Sequence, residues 1–384
     1  MKLILIFSIL FTLLSNSKSQ AAELGLTDVS ILMPLPKREN SDHLFRPGSL
    51  GKFGEFLPQN IFSQLPRLNL VEDNVALYPQ LRALGIRLDP CFPAASPQAG
   101  CQAQIRLVWQ PLYQKESIMV AEDVSVHVFY NLTKVELTDI VSQIKDLNDE
   151  FKISNKDLPL DIHPILKRDG LDSAYGKRLF SILNSGIGAQ RISRVTFMLQ
   201  TWLGNVWSFG GFDVDQGKMR EISIPRIPGT KQTFFNELIS TTIFKNAGID
   251  PQVAGTDSLA FLLKPADPQA PLTKADELSV TAGYLAATRI ENPLIHSPNS
   301  IDCVGCHLAQ QTRIFAQGQY PSFAGELSRL ADPSKFKSKY NLSNLNLGPD
   351  KTILLRSFGY VGSEPAINQR VINETARVLE LLEK

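Results

Sequence analysis

Two cysteines and a histidine lie within five residues of one another at positions 303–307, which read Cys-Val-Gly-Cys-His. Residues three and four apart share one face of a helical turn. Cys303, Cys306 and His307 can therefore present two thiols and an imidazole to a single group. Two thiols placed in this way can bond to the edge of one porphyrin, while the imidazole offers a nitrogen to its metal.

This spacing is the attachment signature of a c-type haem, and the five residues resemble the haem segment of c-type cytochromes. With four Cys and five His in 384 residues, composition alone yields about 5 × 10⁻⁴ chance matches. The resemblance implies that Cys303 and Cys306 anchor one haem c and that His307 is the proximal iron ligand. Residues 299–309 also resemble the haem segment of uncharacterised exported single-haem proteins of Gram-negative bacteria, a resemblance that implies no known reaction.

Small cytochromes usually have a second axial ligand, commonly a Met that follows the motif. No Met or His follows His307 in this chain. His296, in a loop just upstream, is the first candidate for the distal ligand, and a solvent-exposed loop His is the alternative. We expect His127 to be a packed or hydrogen-bonded strand residue and Met198 to fill the core.

Other uses of the same side chains stay open. Cys303, Cys306, His307 and His296 could form a Cys₂His₂ zinc site, although their spacing differs from the common zinc-finger pattern. A redox-active Cys-x-x-Cys pair and two unmodified structural cysteines are further alternatives.

The start of the chain resembles an export signal. A basic residue is followed by an apolar run at 3–14 and then by small and polar residues. This pattern predicts a secretory signal peptide at 1–21 and a periplasmic or secreted protein. Cys91 and Cys101 flank a short loop that contains Pro and Gly. In an oxidising compartment we expect them to form a disulfide, with two unpaired thiols as the alternative.

The overall composition is that of an ordinary globular protein, with 43% hydrophobic and 20% charged residues and a net charge of +1. This balance gives no reason to expect nucleic acid or an anionic membrane surface as a partner. No second long apolar stretch occurs, so we expect no stable membrane insertion after signal cleavage.

The alternation patterns predict an α+β fold. A mostly antiparallel sheet domain of unknown role is expected at 22–265. A small, mainly helical haem-binding domain is expected at 270–384, after a Pro-rich linker at 264–273. We expect the last helix to open near Ser363 and Pro365. Strands are predicted at 28–36, 102–112, 124–129 and 191–200, a hairpin at 202–224, and helices at 136–148, 174–185, 233–246 and 273–288.

The chain contains no motif typical of serine hydrolases, zinc proteases, NTP-binding proteins or dinucleotide-binding proteins. Electron transfer to an unknown redox partner is therefore favoured over catalysis. The missing downstream Met keeps a second hypothesis open, a haem-based sensor or peroxidase- or oxidase-like enzyme with an open iron site. The third hypothesis is a binding protein without haem that is stapled by structural zinc.

Overall fold

The structure, a computed structural model, describes residues 23–37, 43–69, 72–200, 206–235, 257, 259, 273–345 and 355–384. The predicted signal peptide at 1–21 and positions 264–272 of the predicted linker lie outside these ranges.

Long strands with apolar residues at alternate positions form the centre of the molecule. Val126 and Val128 point to one side of their strand and His127 and Phe129 to the other, as a period of two requires. The strands are β1 (Ser30–Leu32), β2 (Leu50–Gly51), β3 (Gly54–Glu55), β4 (Leu81–Pro93), β5 (Cys101–Lys115), β6 (Ile118–Ala121), β7 (Ser125–Asn131), β8 (Ile192–Gln200), β9 (Val206–Asp215), β10 (Lys218–Glu221), β11 (Lys231–Phe235), β12 (Phe358–Val361) and β13 (Glu364–Ile367).

In the described part of the chain, nine strands form one sheet in the order β1-β4-β5-β7-β8-β9-β10, with β6 paired to β5 and β11 to β9. Neighbouring strands run antiparallel. The β9–β10 connection is a two-residue turn in which Gln216 and Gly217 both have positive φ. This is the turn geometry that matches the twist of a hairpin.

Two of the long helices begin at a threonine whose side chain satisfies free backbone N–H groups. Thr133 and Thr273 each form a capping box, with Glu136 and Asp276 respectively. The helices are α1 (Leu26–Val29), α2 (Gln59–Phe62), α3 (Asn74–Leu77), α4 (Lys134–Glu150), α5 (Pro164–Asp169), α6 (Ala174–Asn184), α7 (Lys274–Ile290), α8 (Cys303–Gln319), α9 (Ala324–Ala331) and α10 (Gln369–Leu382).

Helices cover both faces of the sheet. α4 packs on β4 and β5 and against α6, and the apolar residues Leu137, Ile140 and Ile144 of α4 are buried in this layer. Each such side chain contributes about 1.5–3 kcal/mol of transfer free energy. On the other face of the sheet, α8 contacts β9 and β11, and α10 contacts β4. The face of the sheet that lies against α8 and α10 is called the polar face below.

The C-terminal region shares its apolar cores with the sheet. Val371 and Leu379 of α10 belong to the same buried cluster as Ile31 of β1 and Ile86 of β4. A second buried cluster joins α7, α8 and α9 to Phe209 of β9 and its neighbours. Both clusters contain residues from before and after the predicted boundary. The division into 22–265 and 270–384 stays a prediction.

The predicted α+β fold with a large antiparallel sheet and a helical C-terminal part is confirmed. The strand predicted at 28–36 is present only as Ser30–Leu32, since Asp28 and Val29 belong to α1. Two other local predictions are wrong. Positions 233–235 of the predicted helix belong to strand β11, and 236–246 lie outside the described residues. Ser363 and Pro365 lie in the β12–β13 hairpin, and the last helix begins later, with Asn368 as its N-cap.

The predicted disulfide between Cys91 and Cys101 is present and joins the ends of β4 and β5. We expect the double variant Cys91→Ser/Cys101→Ser to lose about 2–3 kcal/mol of unfolding free energy, because the cross-link limits the entropy of the unfolded chain. Chemical denaturation of both proteins measures the difference. A reductant should lower the wild-type midpoint and leave the variant unchanged; equal midpoints for the two oxidised proteins would contradict the expectation.

Among the described residues, no helix combines the length and the apolar character that a membrane crossing requires.

Candidate functional site

The residues of the 303–307 motif open onto one cavity. Cys303, Cys306 and His307 lie in the first turn of α8 and line a cavity of about 260 Å³ between this turn and the polar face of the sheet. Their i, i+3, i+4 spacing places them on one side of the helix, as the sequence predicts. Two thiols and an imidazole thus face a common space that is large enough to admit a ligand.

The start of α8 is held in place by the sheet. Asp302 caps the helix by accepting from the Gly305 N–H, and its other carboxylate oxygen accepts from Gln232 Nε2 at 2.8 Å. Gln232, on β11, also accepts the Val304 N–H at 3.0 Å. Gln232 and Asp302 are buried. These two hydrogen bonds of Gln232 fix the position and orientation, relative to the sheet, of the helical turn that carries the two thiols.

His307 has one ring nitrogen engaged by the protein. Its Nδ1 bonds the Leu355 carbonyl. A carbonyl oxygen can only accept, so Nδ1 carries the proton and Nε2 keeps its lone pair. The ring also packs on Phe209 of β9, with 4.8 Å between centroids. Burial lowers the pKa of His307 to about 4, so the ring is neutral at pH 7 and available as a ligand.

The carbonyl that orients His307 is itself anchored. Arg356 follows Leu355 and donates to Asp123 at 3.0 Å, and Trp207 donates to the other oxygen of Asp123 at 3.0 Å. The Arg356 side chain is 1% exposed. The segment beside His307 is therefore tied to the sheet through a buried ion pair, which limits rotation of the imidazole.

The two thiols of the motif are free. Burial raises the pKa of Cys303 to about 12 and that of Cys306 to about 11. Reactive redox thiols instead have lowered pKa values, because the thiolate is the nucleophile. The site thus holds two protonated thiols close together, which does not suit a thioredoxin-type redox pair.

Strand pairing arranges the sheet wall of the cavity in three rows. The Met198 row consists of Ser125, Met198 and Phe209; the His127 row of Val108, His127, Thr196 and Gly211; and the arginine row of Arg87, Arg106, Phe129 and Arg194. Members of one row are direct cross-strand neighbours and lie on the same face of the sheet. Gln232 pairs with Phe209, so the start of α8, at Asp302 and Val304, sits at the end of the Met198 row.

The arginine row gives the cavity a basic end. Arg87 pairs with Glu374 at 3.2 Å and Arg194 with Asp213 at 2.7 Å. Arg106 is stacked between Phe92 and Phe129, at 4.6 and 4.4 Å from their ring centroids, and its buried Nε has no hydrogen-bond partner among the described residues. Burial, aided by Arg87, lowers the pKa of Arg106 to about 9. An anionic group in the cavity would supply the hydrogen-bond acceptor that the Arg106 Nε lacks.

The structure does not bring His296 to the cavity. His296 is buried, and its Nε2 lies 2.8 Å from Asp257 Oδ2 and its Nδ1 3.2 Å from Ser300 Oγ. Both ring nitrogens are thus engaged away from the motif. Within the described ranges, no group of three or more His, Cys, Asp or Glu side chains is arranged to hold a metal ion. The zinc hypothesis therefore gains no geometric support.

Sequence reasoning missed His127, Arg106 and Gln232 as members of the site. Each looked like one polar residue on an alternating strand or at the start of a predicted helix. The signal in the sequence was a pair of polar residues on one face of β7, Ser125 and His127, which Phe129 follows on the same face. That pattern normally indicates a face toward solvent. Only the position of α8 over the sheet turns this face into a cavity wall.

No protein-family model, curated protein or solved structure matches this chain. The chemistry of the site is therefore argued from its own residues.

Proposed function

We propose that this protein is an exported c-type haem protein that transfers single electrons through one haem c, bound covalently in the cavity beside α8. The observation that carries the proposal is the convergence of Cys303, Cys306 and His307 on that cavity. A bound haem supplies a one-electron iron couple whose potential depends on its axial ligands. A redox partner that exchanges single electrons is implied.

Cys303 and Cys306 would be the covalent anchors. Each thiol would add across one vinyl group, so that a carbon–sulfur bond would form and the thiol hydrogen would pass to the neighbouring carbon. No electron is gained or lost in this addition. The raised pKa values of both thiols agree with side chains that stay protonated until the bond forms. The Gln232–Asp302 contacts hold the two sulfur atoms at a fixed position over the sheet.

His307 would be the proximal ligand through Nε2. The Nδ1 contact with the Leu355 carbonyl selects the required tautomer and orients the ring. An orienting hydrogen bond of this kind is the common arrangement for metal-bound histidine, because it fixes the ring and makes the ligand nitrogen more basic. Phe209 closes one side of the imidazole.

The basic end of the cavity suits the two carboxylates of a haem. Arg106 is the cation of the arginine row whose Nε lacks a partner, and the rings of Phe92 and Phe129 hold it in place. A charge-assisted bond from Arg106 to a propionate would satisfy the buried nitrogen.

The compartment fits the same proposal. Covalent haem attachment in bacteria takes place outside the cytoplasm, and disulfides persist in oxidising compartments. The Cys91–Cys101 disulfide supports a periplasmic or secreted location.

Pyridine haemochrome spectroscopy tests the proposal on the full chain, produced by secretion into a periplasm that carries a haem c maturation system. We expect about one haem per chain, retained after acid–acetone extraction. Metal analysis of the same sample should give iron rather than zinc. A protein that loses all haem on extraction would contradict covalent binding, and stoichiometric zinc without iron would instead select the zinc-stapled binding protein.

A further inference from the structure

The described histidines differ in what their ring nitrogens contact. His163 lies near Tyr175, 3.3 Å from its hydroxyl, and His296 is engaged by Asp257 and Ser300. His307 uses Nδ1 for the Leu355 carbonyl. His127 lines the cavity and has no hydrogen bond to any residue that the structure describes. Its ring nitrogens are therefore open to a group that enters the cavity.

His127 and His307 belong to opposite walls of the same cavity. His307 projects from α8, whereas His127 projects from β7 at the middle of the sheet wall. β7 is flanked on both sides by hydrogen-bonded strands, with Val108 of β5 and Thr196 of β8 directly beside His127. The position is therefore rigid, which a ligand on the far side of a fixed proximal histidine requires.

Met198 is the rival donor, since it also lines the cavity. Its side chain is 3% exposed and belongs to the apolar cluster that includes Trp207 and Phe209. Phe209, its cross-strand neighbour, packs directly on the His307 ring. Met198 thus lies in the row of the sheet that contacts the His307 ring, and its side chain is packed within the apolar cluster. His127 lies one row further, toward the arginines.

We propose that His127 is the second axial ligand of the iron, on the side of the haem opposite His307. This inference rests on the proposed function. It assigns two histidine ligands, which leave the reduction potential lower than a His–Met pair does. It also closes the coordination position that a sensor, peroxidase or oxidase needs, and so favours electron transfer over those activities.

The test uses the full-length holoprotein and four variants, with haem content measured first by pyridine haemochrome. Wild type should have a six-coordinate, low-spin spectrum and, when reduced, should not bind carbon monoxide. His127→Gly should become high-spin and bind carbon monoxide, and added imidazole should restore the low-spin spectrum. Met198→Leu and Met119→Leu, the latter outside the cavity wall, should both stay low-spin.

His127→Met keeps an iron ligand, a thioether sulfur, at this position. It provides a second test if the His127→Gly protein fails to acquire haem. Its reduction potential should rise above that of wild type, because a thioether ligand favours the reduced iron. A low-spin His127→Gly protein, or an unchanged potential in His127→Met, would overturn the inference while leaving covalent haem intact. Loss of the low-spin spectrum in Met198→Leu would assign the ligand to Met198 instead. Wild type without covalent haem would overturn the proposed function itself.

Discussion

The double variant Cys303→Ala/Cys306→Ala should contain no haem that survives acid–acetone extraction. Both thioether bonds depend on these sulfurs, and no other free thiol is present among the described residues. The single variants should each keep one bond. Their reduced pyridine haemochrome band should then shift to longer wavelength, because one vinyl group stays conjugated with the ring. Absorption spectra and haem-stained denaturing gels measure both effects.

The matched control is Cys91→Ser/Cys101→Ser. It also removes two cysteines, but from the disulfide at the connection between β4 and β5. This variant should lose stability and keep its covalent haem. Full retention of covalent haem in the Cys303→Ala/Cys306→Ala protein would show that the motif is not the attachment site.

Gln232→Leu should be among the most damaging single substitutions in the site. Leucine has a similar volume but removes the acceptor of the Val304 N–H and the hydrogen bond from Gln232 Nε2 to Asp302. Each buried polar group deprived of its partner costs about 1–3 kcal/mol, so we expect about 2–5 kcal/mol of lost unfolding free energy. Because the same contacts position Cys303, the yield of covalent haem should fall as well.

Chemical denaturation and haem content per chain are the two measurements for Gln232→Leu. Gln143→Leu is the control, since Gln143 bonds Asp139 on the exposed side of α4. A surface change of this kind should alter stability by less than about 0.5 kcal/mol. Equal stability of the two variants would mean that the Gln232 contacts do not hold the start of α8.

Local signals in the sequence predicted much of the fold. The helical period predicts α4 and α7, and the Asp215-Gln216-Gly217 turn lies within the predicted hairpin at 202–224. The two wrong predictions concern short segments. Phe234 and Phe235 suit a strand as well as a helix, and pairing with β9 decides for the strand. Pro365 suits a helix start, but it lies in the β12–β13 hairpin, where it pairs with Tyr360.

The motif at 303–307 and the Cys91–Cys101 pair were identifiable from sequence alone, because each depends on spacing within a few residues. A helical turn is enough to put two thiols and an imidazole on one face, and a short loop is enough to close a disulfide. The sequence also made His296, the histidine nearest along the chain, the first candidate for a second ligand. Asp257 and Ser300 engage that ring elsewhere.

Only the tertiary structure decided what faces the motif. His127 and Arg106 lie far from Cys303 in sequence, and they reach the cavity because strand register aligns them in rows and α8 crosses that face. A shift of one residue in register would turn both side chains to the opposite side of the sheet. Register and helix placement are set by packing across the whole core, which local spacing does not encode. The proposed attachment site thus consists of five consecutive residues, whereas the cavity that it faces is formed by five strands and two helices.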